Sequence, residues 1–346
     1  MKEQPRILII YTGGTIGMVE DIDTGGLKPF NFSHLKSELP ELKKFDYFLE
    51  VIAFENPIDS SNMTPKVWIK LAKIIEDNYP IYDGFVILHG SDTMAYTASA
   101  LSFMFENLAK PIILTGSQLP IGTIRTDGKE NLITSIEIAA AKKRGQAIVP
   151  EVAIYFEYQL YRGNRTYKYN AEHFDAFDSP NYPILAKAGI NINYDFNAIK
   201  KIKKENFDLA FKVNYDLDNS VAVIKFFPGM SNVIVEGILN IEGLKAVVLE
   251  SFGSGNIPLD NKLLALLNEA NNKEIVILNI TQCKGGRVQQ GKYQTSAKLE
   301  KIGVLSGKDM TTEAAVTKLM FLLGQKLKKT TIEQKLSYSL RGELTE

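Results

Sequence analysis

The residue types best suited to chemistry fall in four short segments, each placed where an apolar run ends. Tyr11-Thr12-Gly13-Gly14-Thr15-Ile16-Gly17 closes the run at 6–11, and Asp59-Ser60-Ser61-Asn62-Met63-Thr64 follows the run at 48–54. His89-Gly90-Ser91-Asp92-Thr93 follows 84–88, and Thr115-Gly116-Ser117-Gln118 follows 111–115. Glycine lets a backbone take positive φ and approach a ligand closely. Hydroxyls and a carboxylate add nucleophiles and hydrogen-bonding groups. Each segment alone has a plain structural use, since turns need glycine and Ser91 or Asp92 could cap a helix. Four consecutive strand exits of this composition exceed what capping requires. If the strands are parallel, their carboxyl ends share one edge and form a small-molecule pocket.

A hydroxyl nucleophile needs a base, and the usual kits are missing. His34, His89 and His173 show no HExxH or paired spacing, which argues against zinc hydrolysis. There is no G-x-S-x-G elbow and no Walker loop. The run G-G-x-x-G departs from the dinucleotide fingerprint, and residues 18–29 read as loop rather than helix. A lysine whose charged form is disfavoured by burial is the main alternative base. Leu160-Tyr161-Arg162-Gly163-Asn164-Arg165-Thr166-Tyr167-Lys168 supplies one, although Lys168 by itself reads as a surface residue.

The elements that must position these groups alternate between strand and helix. Apolar or β-branched runs predict strands at 6–11, 48–54, 84–88, 111–115 and 152–156, with helices at 65–78, 93–108 and 128–144. Near-continuous apolar strands imply burial on both faces of a parallel sheet. Thr64 before Pro65 reads as an N-cap with a first-turn proline, and Asp127 with Glu130 as a capping box. Lys142, Lys143 and Arg144 before Gly145 read as a cationic helix C-terminus with a left-handed cap. The pattern weakens over 191–218, a polar connection whose Lys200, Lys201, Lys203 and Lys204 could bind an anion or simply form a solvated face. It resumes with strands at 221–226, 246–250 and 275–280 and helices at 232–239, 261–271 and 312–328. The expectation is an α/β protein of two Rossmann-like domains: a larger, mainly parallel N-terminal domain (1–190), a linker (191–218) and a smaller C-terminal α/β domain (219–346).

Composition narrows the partners. The chain has 346 residues, enough for two domains at roughly 150 residues each. Hydrophobic residues at 45% and charged residues at 23% are ordinary for a globular protein and exclude a disordered chain. Forty basic residues balance forty acidic ones, so neither nucleic acid nor a membrane surface is suggested as partner. Cys283 is the single cysteine, which excludes an intrachain disulfide. No apolar run reaches the ~18 residues of a membrane span, and 7–11 is too short for a signal-peptide core. A cytoplasmic address is expected.

Together the segments resemble the L-asparaginase family, in its cytoplasmic type I branch. The resemblance runs nearly end to end: YTGGTIGM at 11–18, HGSDTMAYTASALSFM at 89–104, LTGSQLP at 114–120, LYRGNRTYK at 160–168, FDAFDSPN at 174–181, GSGNIP at 253–258, TQCKGGRV at 281–288 and LRGELT at 340–345. It implies that Thr15 is the nucleophile, Ser91 the second catalytic hydroxyl, and that Asp92 and Lys168 complete a Thr–Lys–Asp arrangement. It further implies substrate binding by Gly14, Asp59, Ser60, Gly90 and Ser117, with Ser60 on the α-carboxylate, and by Asn256 reaching in from a neighbouring subunit. The implied reaction is hydrolysis of L-asparagine to L-aspartate and ammonia through a β-acyl-enzyme, without metal or cofactor. The implied assembly is a homotetramer of two intimate dimers.

This sequence departs from the family pattern in three places. Leu27 stands where many members have a catalytic tyrosine on the loop after TGGTI. Some type I members have a regulatory asparagine site near the positions of Tyr167, Glu250 and Cys283. Glu250 replaces a basic residue there and would repel a carboxylate, so hyperbolic kinetics are expected. Other readings remain: amide handling within a tRNA amidotransferase, a form with an extra N-terminal domain where only ten residues precede Tyr11 here; a ligand-binding protein without turnover; and, least favoured, a dehydrogenase. The third departure is serine at position 91, where threonine is usual; the hydroxyl is kept but χ1 is freer. Ser91→Thr is accordingly expected to be at least as active as the native chain in ammonia release; a several-fold drop would show that serine is tuned to this pocket.

Overall fold

The computed structural model describes residues 4–20, 27–29, 39–202, 209–258, 260–291 and 294–346. The chain divides into two compact units, Met1–Tyr215 and Asp216–Glu346. His34, Gly25, Gly26, Lys203 and Lys204 lie outside the described residues.

The N-terminal unit is built on an eight-stranded sheet. Its strands are β1 (Arg6–Tyr11), β2 (Phe48–Ala53), β3 (Gly84–Leu88), β4 (Ile112–Thr115), β5 (Val152–Phe156), β6 (Gln159–Arg162), β7 (Ala186–Lys187) and β8 (Asn193–Tyr194). Their spatial order is β8-β7-β6-β5-β4-β3-β1-β2. The five strands expected from apolar runs are mutually parallel, in register Ile7↔Leu49, Ile7↔Gly84, Phe85↔Ile112 and Val152↔Ile112. The last three join antiparallel. They escaped the sequence reading because two of them are two-residue segments with no alternation to detect. The parallel order 2-1-3-4-5 reverses at the β1/β3 boundary, and open sheets of this kind bind ligands beyond the carboxyl ends of the strands at such a point.

On β1, β3, β4 and β5 both faces are apolar and almost wholly buried, whereas the edge strand β2 is only partly covered. Ile7, Ile9, Tyr11, Val86, Leu88, Ile113, Ala153 and Tyr155 share one core with Leu132 and Ile136 of the helix Gly128–Ala140. The alternate residues Leu8, Ile10, Phe85 and Ile87 are equally inaccessible. The helix Met94–Met104, buried nearly all round, packs against β5. At ~25 cal/mol per Å² of apolar surface removed from water, double-sided burial makes these strands the stable platform of the unit.

Several helix expectations are corrected. The helix expected at 93–108 stops at Met104, because Phe105–Glu106 pairs antiparallel with Lys212–Val213 and the Phe105 ring packs 5.4 Å from that of Phe211. The helix expected to reach Arg144 ends at Ala140. Lys142–Lys143 instead pairs with Gln146–Ala147, and Arg144 (φ 53) and Gly145 (φ 81) make the left-handed hairpin turn. The glycine does supply positive φ, but to a strand turn. Asp127 and Glu130 form no capping box; Asp127 makes no cap bond to its helix and Glu130 accepts from the Tyr155 hydroxyl at 2.6 Å. Pro65 opens its helix as expected, while the Thr64 hydroxyl makes no cap bond. The segment after Gly17, read as loop, contains an antiparallel pair, Met18–Glu20 with Leu27–Pro29.

The C-terminal unit is a parallel four-stranded sheet of β9 (Val221–Lys225), β10 (Ala246–Ser251), β11 (Val276–Thr281) and β12 (Leu305–Ser306), in that order. Helices Asn232–Leu239 and Asn261–Asn272 contribute Val235, Leu239, Leu263 and Leu267 to its core. The helix expected at 312–328 ends at Gly324 and restarts as Lys329–Leu336, because Lys326 turns to a left-handed φ of 53; Gly324 itself lies where a Cβ would sit 2.1 Å from the Asp216 carbonyl oxygen. Lys318, on the first of these helices, meets Glu343 at 2.6 Å with both side chains wholly buried. The pair is closed by further bonds: Lys318 donates to the Tyr338 carbonyl at 2.7 Å, and Glu343 accepts from the amides of Leu340 and Arg341.

Removing one partner of such a pair strands a charge in the interior and typically costs 3–5 kcal/mol. Lys318→Met is expected to destabilise the C-terminal unit by about that amount in urea unfolding, and Lys318→Met with Glu343→Leu to recover most of the loss. Equal destabilisation in both variants would show that packing, not the orphaned carboxylate, carries the cost.

Candidate active site

Backbone hydrogen bonds between neighbouring strand exits gather the predicted segments at the β1/β3 crevice. The Thr12 amide and hydroxyl both donate to the Leu88 carbonyl at 3.0 Å, and the Ile58 amide donates to the Thr12 carbonyl at 2.7 Å. The His89 amide donates to the Thr115 carbonyl at 2.9 Å. The loops then meet through glycine. A Cβ on Gly14, which sits at φ 89, would lie 2.5 Å from the Gly90 amide nitrogen. A Cβ on Gly90 would lie 2.6 Å from the Ser60 hydroxyl oxygen. Gly14, Gly90 and Ser60 are thus stacked at contact distance, and no larger residue fits at either glycine.

Thr15 opens a single 3-10 turn directly after Gly14 and is half-buried, with Ile16 beneath it in the core. Ser60 is buried behind Asp59, whose carboxylate accepts from the Ser61 amide and hydroxyl, each at 2.9 Å. Those bonds, the amide first, hold the Asp59 carboxyl below its ordinary range. The Thr93 hydroxyl donates to the Ser60 carbonyl at 2.7 Å, locking the second exit to the third.

Lys168 arrives from a different part of the chain. It lies on the strand Tyr167–Lys168, paired with Phe177–Asp178 of the FDAFDSPN segment. Its ammonium donates to the Ser91 hydroxyl at 2.8 Å and to the Asp92 carboxylate at 2.7 Å. The lysine side chain is 15% exposed and the aspartate 67%, so the amine sits against protein while its counter-charge faces outward. Ser117 is buried, and its hydroxyl donates to the Leu119 carbonyl at 2.5 Å. Ser117 and Ile16 both flank Gly128, whose Cβ would meet each at 3.3 Å.

Thr15, Ser60, Gly90, Ser91, Asp92, Ser117 and Lys168 therefore stand on one edge of one sheet. Asn256 belongs to the other unit, where its amide donates to the Phe252 carbonyl at 2.9 Å. Glu250 accepts from the Thr312 hydroxyl at 2.6 Å and faces the Lys225 ammonium at 3.5 Å. The backbone of Leu27 pairs with Glu20, and its side chain lies outside the described residues.

Supporting groups went unassigned in the sequence. The Gln118 side chain reaches the Ser91 hydroxyl through its carbonyl at 3.5 Å and donates to the His173 carbonyl at 2.8 Å. The amides of Gln118 and Leu119 are fixed by the Asp127 carboxylate, and burial raises that carboxyl. His89 is fully buried beneath the third exit. Its Nδ1 lies 2.7 Å from the Gly90 carbonyl and its Nε2 2.9 Å from the Thr97 hydroxyl, which also accepts from Trp68 Nε1 at 3.0 Å. A carbonyl only accepts, so Nδ1 carries the proton and Nε2 accepts from Thr97. The imidazole pins Gly90 and is no general base. The signal for it was weak, because Trp68, Thr97 and His89 meet only in the folded chain.

Burial lowers the His89 pKa to about 4. The unfolded chain then binds the extra proton between pH ~6.5 and ~4, so this residue's contribution to stability falls as pH drops through that window and changes no further below it. Urea unfolding of the native chain is expected to lose more stability between pH 7 and pH 5 than that of His89→Gln; identical losses would show that His89 is not held neutral.

Comparison with known proteins accords with this arrangement. Residues 6–200 match the model of the asparaginase N-terminal domain, and residues 220–336 that of the glutaminase/asparaginase C-terminal domain. The chain is 42% identical to L-asparaginase 1 of Escherichia coli K12, over 99% of both chains. It superposes on the crystal structure of L-asparaginase I from Vibrio cholerae with a TM-score of 0.90 at 41% identity, covering 99% of this chain and 100% of that one. It is also 37% identical to the 60 kDa lysophospholipase of Mus musculus, spanning 63% of that protein's length. Matched by both domain models and by full-length relatives, the chain belongs to the asparaginase family.

Proposed function

We propose that the protein hydrolyses L-asparagine to L-aspartate and ammonia, with Thr15 as nucleophile and Lys168, Ser91 and Asp92 as its proton relay. The observation that carries this reading is the Lys168 amine held 2.8 Å from the Ser91 hydroxyl, with its carboxylate partner on the outward side. A carboxamide carbon is a poor electrophile, so the attacking oxygen must shed its proton during attack. The uncharged amine accepts it through Ser91, the 2.8 Å contact then running from hydroxyl to amine instead of from ammonium to hydroxyl. The substrate's own α-ammonium shares the Asp92 charge and so lessens the hold of Asp92 on a protonated Lys168. The stored proton leaves with ammonia as the Thr15 β-acyl ester forms, and water attacks that ester by the same route in reverse order.

Backbone amides at the Gly14 and Gly90 exits stabilise the oxyanion; one such donor is typically worth about 2.7–4 kcal/mol of transition-state stabilisation. Ser60 and Asp59 bind the α-carboxylate and α-ammonium ends of the substrate. Asn256 of a neighbouring subunit completes the pocket in a homotetramer of two dimers. We assign the enzyme to the cytoplasm on its resemblance to the type I branch; separately, among the described residues no helix is long and apolar enough to cross a membrane.

Ammonia release should be measured from asparagine and glutamine side by side. Asparagine is expected to turn over, and Thr15→Ala to lose at least ~10³-fold in kcat. Lys168→Met is expected to lose ~10²–10⁴-fold, the usual contribution of a positioned acid–base group. Near-normal release by Lys168→Met would remove the lysine from the relay, and near-normal release by Thr15→Ala would remove the nucleophile.

A further inference from the structure

The edge of the sheet opposite the proposed catalytic crevice holds a second cavity. It encloses about 640 Å³, within the range of small-molecule sites. Asp83, Lys110 and Pro150 line it, and each lies one or two residues before β3, β4 or β5 respectively. The cavity therefore opens at the amino ends of the strands whose carboxyl ends carry Ser91 and Ser117. The hairpin at 142–147 forms one wall, and residues 196–202 form another.

Its charge is strongly one-sided. Lys110, Lys142, Lys143, Arg144, Lys200 and Lys201 line it against the single carboxylate of Asp83. That carboxylate is already engaged, accepting from the Lys142 ammonium at 2.7 Å and the Arg6 amide at 2.8 Å. The chain as a whole has no net charge, so general basicity does not produce this surplus. A concavity lined by one sign of charge focuses potential and concentrates counter-ions. Lys110 is anchored with its ammonium on the Tyr82 carbonyl at 2.7 Å and 4.7 Å from the Tyr79 ring centre. Burial, with repulsion from Lys142, disfavours its charge, and a bound anion would relieve that penalty. The floor is apolar, with Ile148 and Ile199, and Phe196 presents a ring with the Lys143 ammonium 4.0 Å from its centre.

We propose that this cavity binds a small molecule carrying a polyphosphate chain and a planar ring, of the nucleoside triphosphate class. With Asp83 balancing Lys142, the lining keeps a surplus of five positive charges, which several closely spaced negative charges suit better than one carboxylate does. Arg144 offers a planar fork to phosphate oxygens. Phe196 is an exposed ring with Lys143 over one face, and we assign its other face to a base, as aromatic side chains act in single-strand nucleotide sites. The concavity is half open, with the hairpin and residues 196–202 as walls, and its volume of about 640 Å³ suits one nucleotide.

The test is calorimetric titration of the full-length protein at low salt with ATP, inorganic tripolyphosphate and inorganic phosphate. Saturable one-to-one binding of ATP is expected, tighter than tripolyphosphate and at least about tenfold tighter than phosphate, and weakening steeply as salt is raised. ATP binding no tighter than tripolyphosphate would overturn the assignment of the ring to Phe196. The double variant Lys143→Glu/Arg144→Glu alters two exposed hairpin residues remote from the catalytic segments. It is expected to raise the ATP dissociation constant at least about tenfold while leaving Tm and asparagine hydrolysis unchanged. If that variant does not fold, Lys201→Glu serves the same purpose. Absence of saturable ATP binding up to ~1 mM, or binding indifferent to charge reversal, would overturn the proposal.

Discussion

The site depends on one steric fact: two backbone loops touch where neither can carry a side chain. β1 and β3 are parallel neighbours, so their exits leave the sheet side by side, and Gly14 packs directly on Gly90. A Cβ on Gly14 would drive the β1 and β3 exits apart, and one on Gly90 would strike Ser60 of the β2 exit. Gly14 also sits at φ 89, a conformation L side chains rarely adopt, so the position is reserved for glycine twice over. The buried His89 and the Thr93 bond to Ser60 hold the other side of the contact. The crevice is therefore set by the backbone, and the polar side chains are mounted on a platform whose strands are apolar on both faces.

Upon that platform the electrostatics are asymmetric. Lys168 comes from outside the parallel strands, on a two-residue strand of its own, and points its amine at the hydroxyl of the β3 exit. Asp92, one residue beyond Ser91, reaches the same amine from the water side. Adjacent residues of a turn thus present a hydroxyl and a carboxylate to a single nitrogen. Gln118 touches Ser91 from the β4 exit and is tied to the His173 carbonyl, which limits the freedom that serine has over threonine at position 91.

Much of this was legible in the residues. The apolar runs at 6–11, 84–88, 111–115 and 152–156 announced buried parallel strands because a strand covered on both faces has no polar alternation to keep. The four loaded exits meet along one edge for the same topological reason. The antiparallel half of the sheet was not legible, since pairs as short as Ala186–Lys187 with Asn193–Tyr194 gain their structure from the partner and not from local preference. The hairpin at 142–147 was misread because lysine, arginine and glycine in that order satisfy a helix terminus and a left-handed turn equally well. Lys168 could be singled out only through its motif, because nothing in its composition separates a lysine aimed at Ser91 from one aimed at water. The Trp68–Thr97–His89 chain could not be read at all. Trp68 reaches Thr97 by the packing of helix Pro65–Asn78 on helix Met94–Met104, and the β3 exit brings His89 to the same hydroxyl.

Two lysine–carboxylate contacts in this chain show why the geometry around Lys168 suits proton transfer. Lys318 and Glu343 meet at 2.6 Å, Lys168 and Asp92 at 2.7 Å, and the distances alone do not separate them. The difference lies in what surrounds each pair. Glu343 is wholly buried and accepts from two backbone amides, and Lys318 has a carbonyl as its second partner. A proton moved between them would leave both groups in the interior with unmatched bonds, so the pair is a fastening. Lys168 has as its second partner a hydroxyl, which can donate as readily as accept, and its carboxylate stands mostly in water, where a substrate cation can approach it. Reversing that hydrogen bond gives up only the long 3.5 Å contact of the Ser91 hydroxyl with the Gln118 side-chain carbonyl. A mostly buried amine, bonded to a hydroxyl and opposed by a carboxylate that stands in water, is the arrangement that the proposed relay requires.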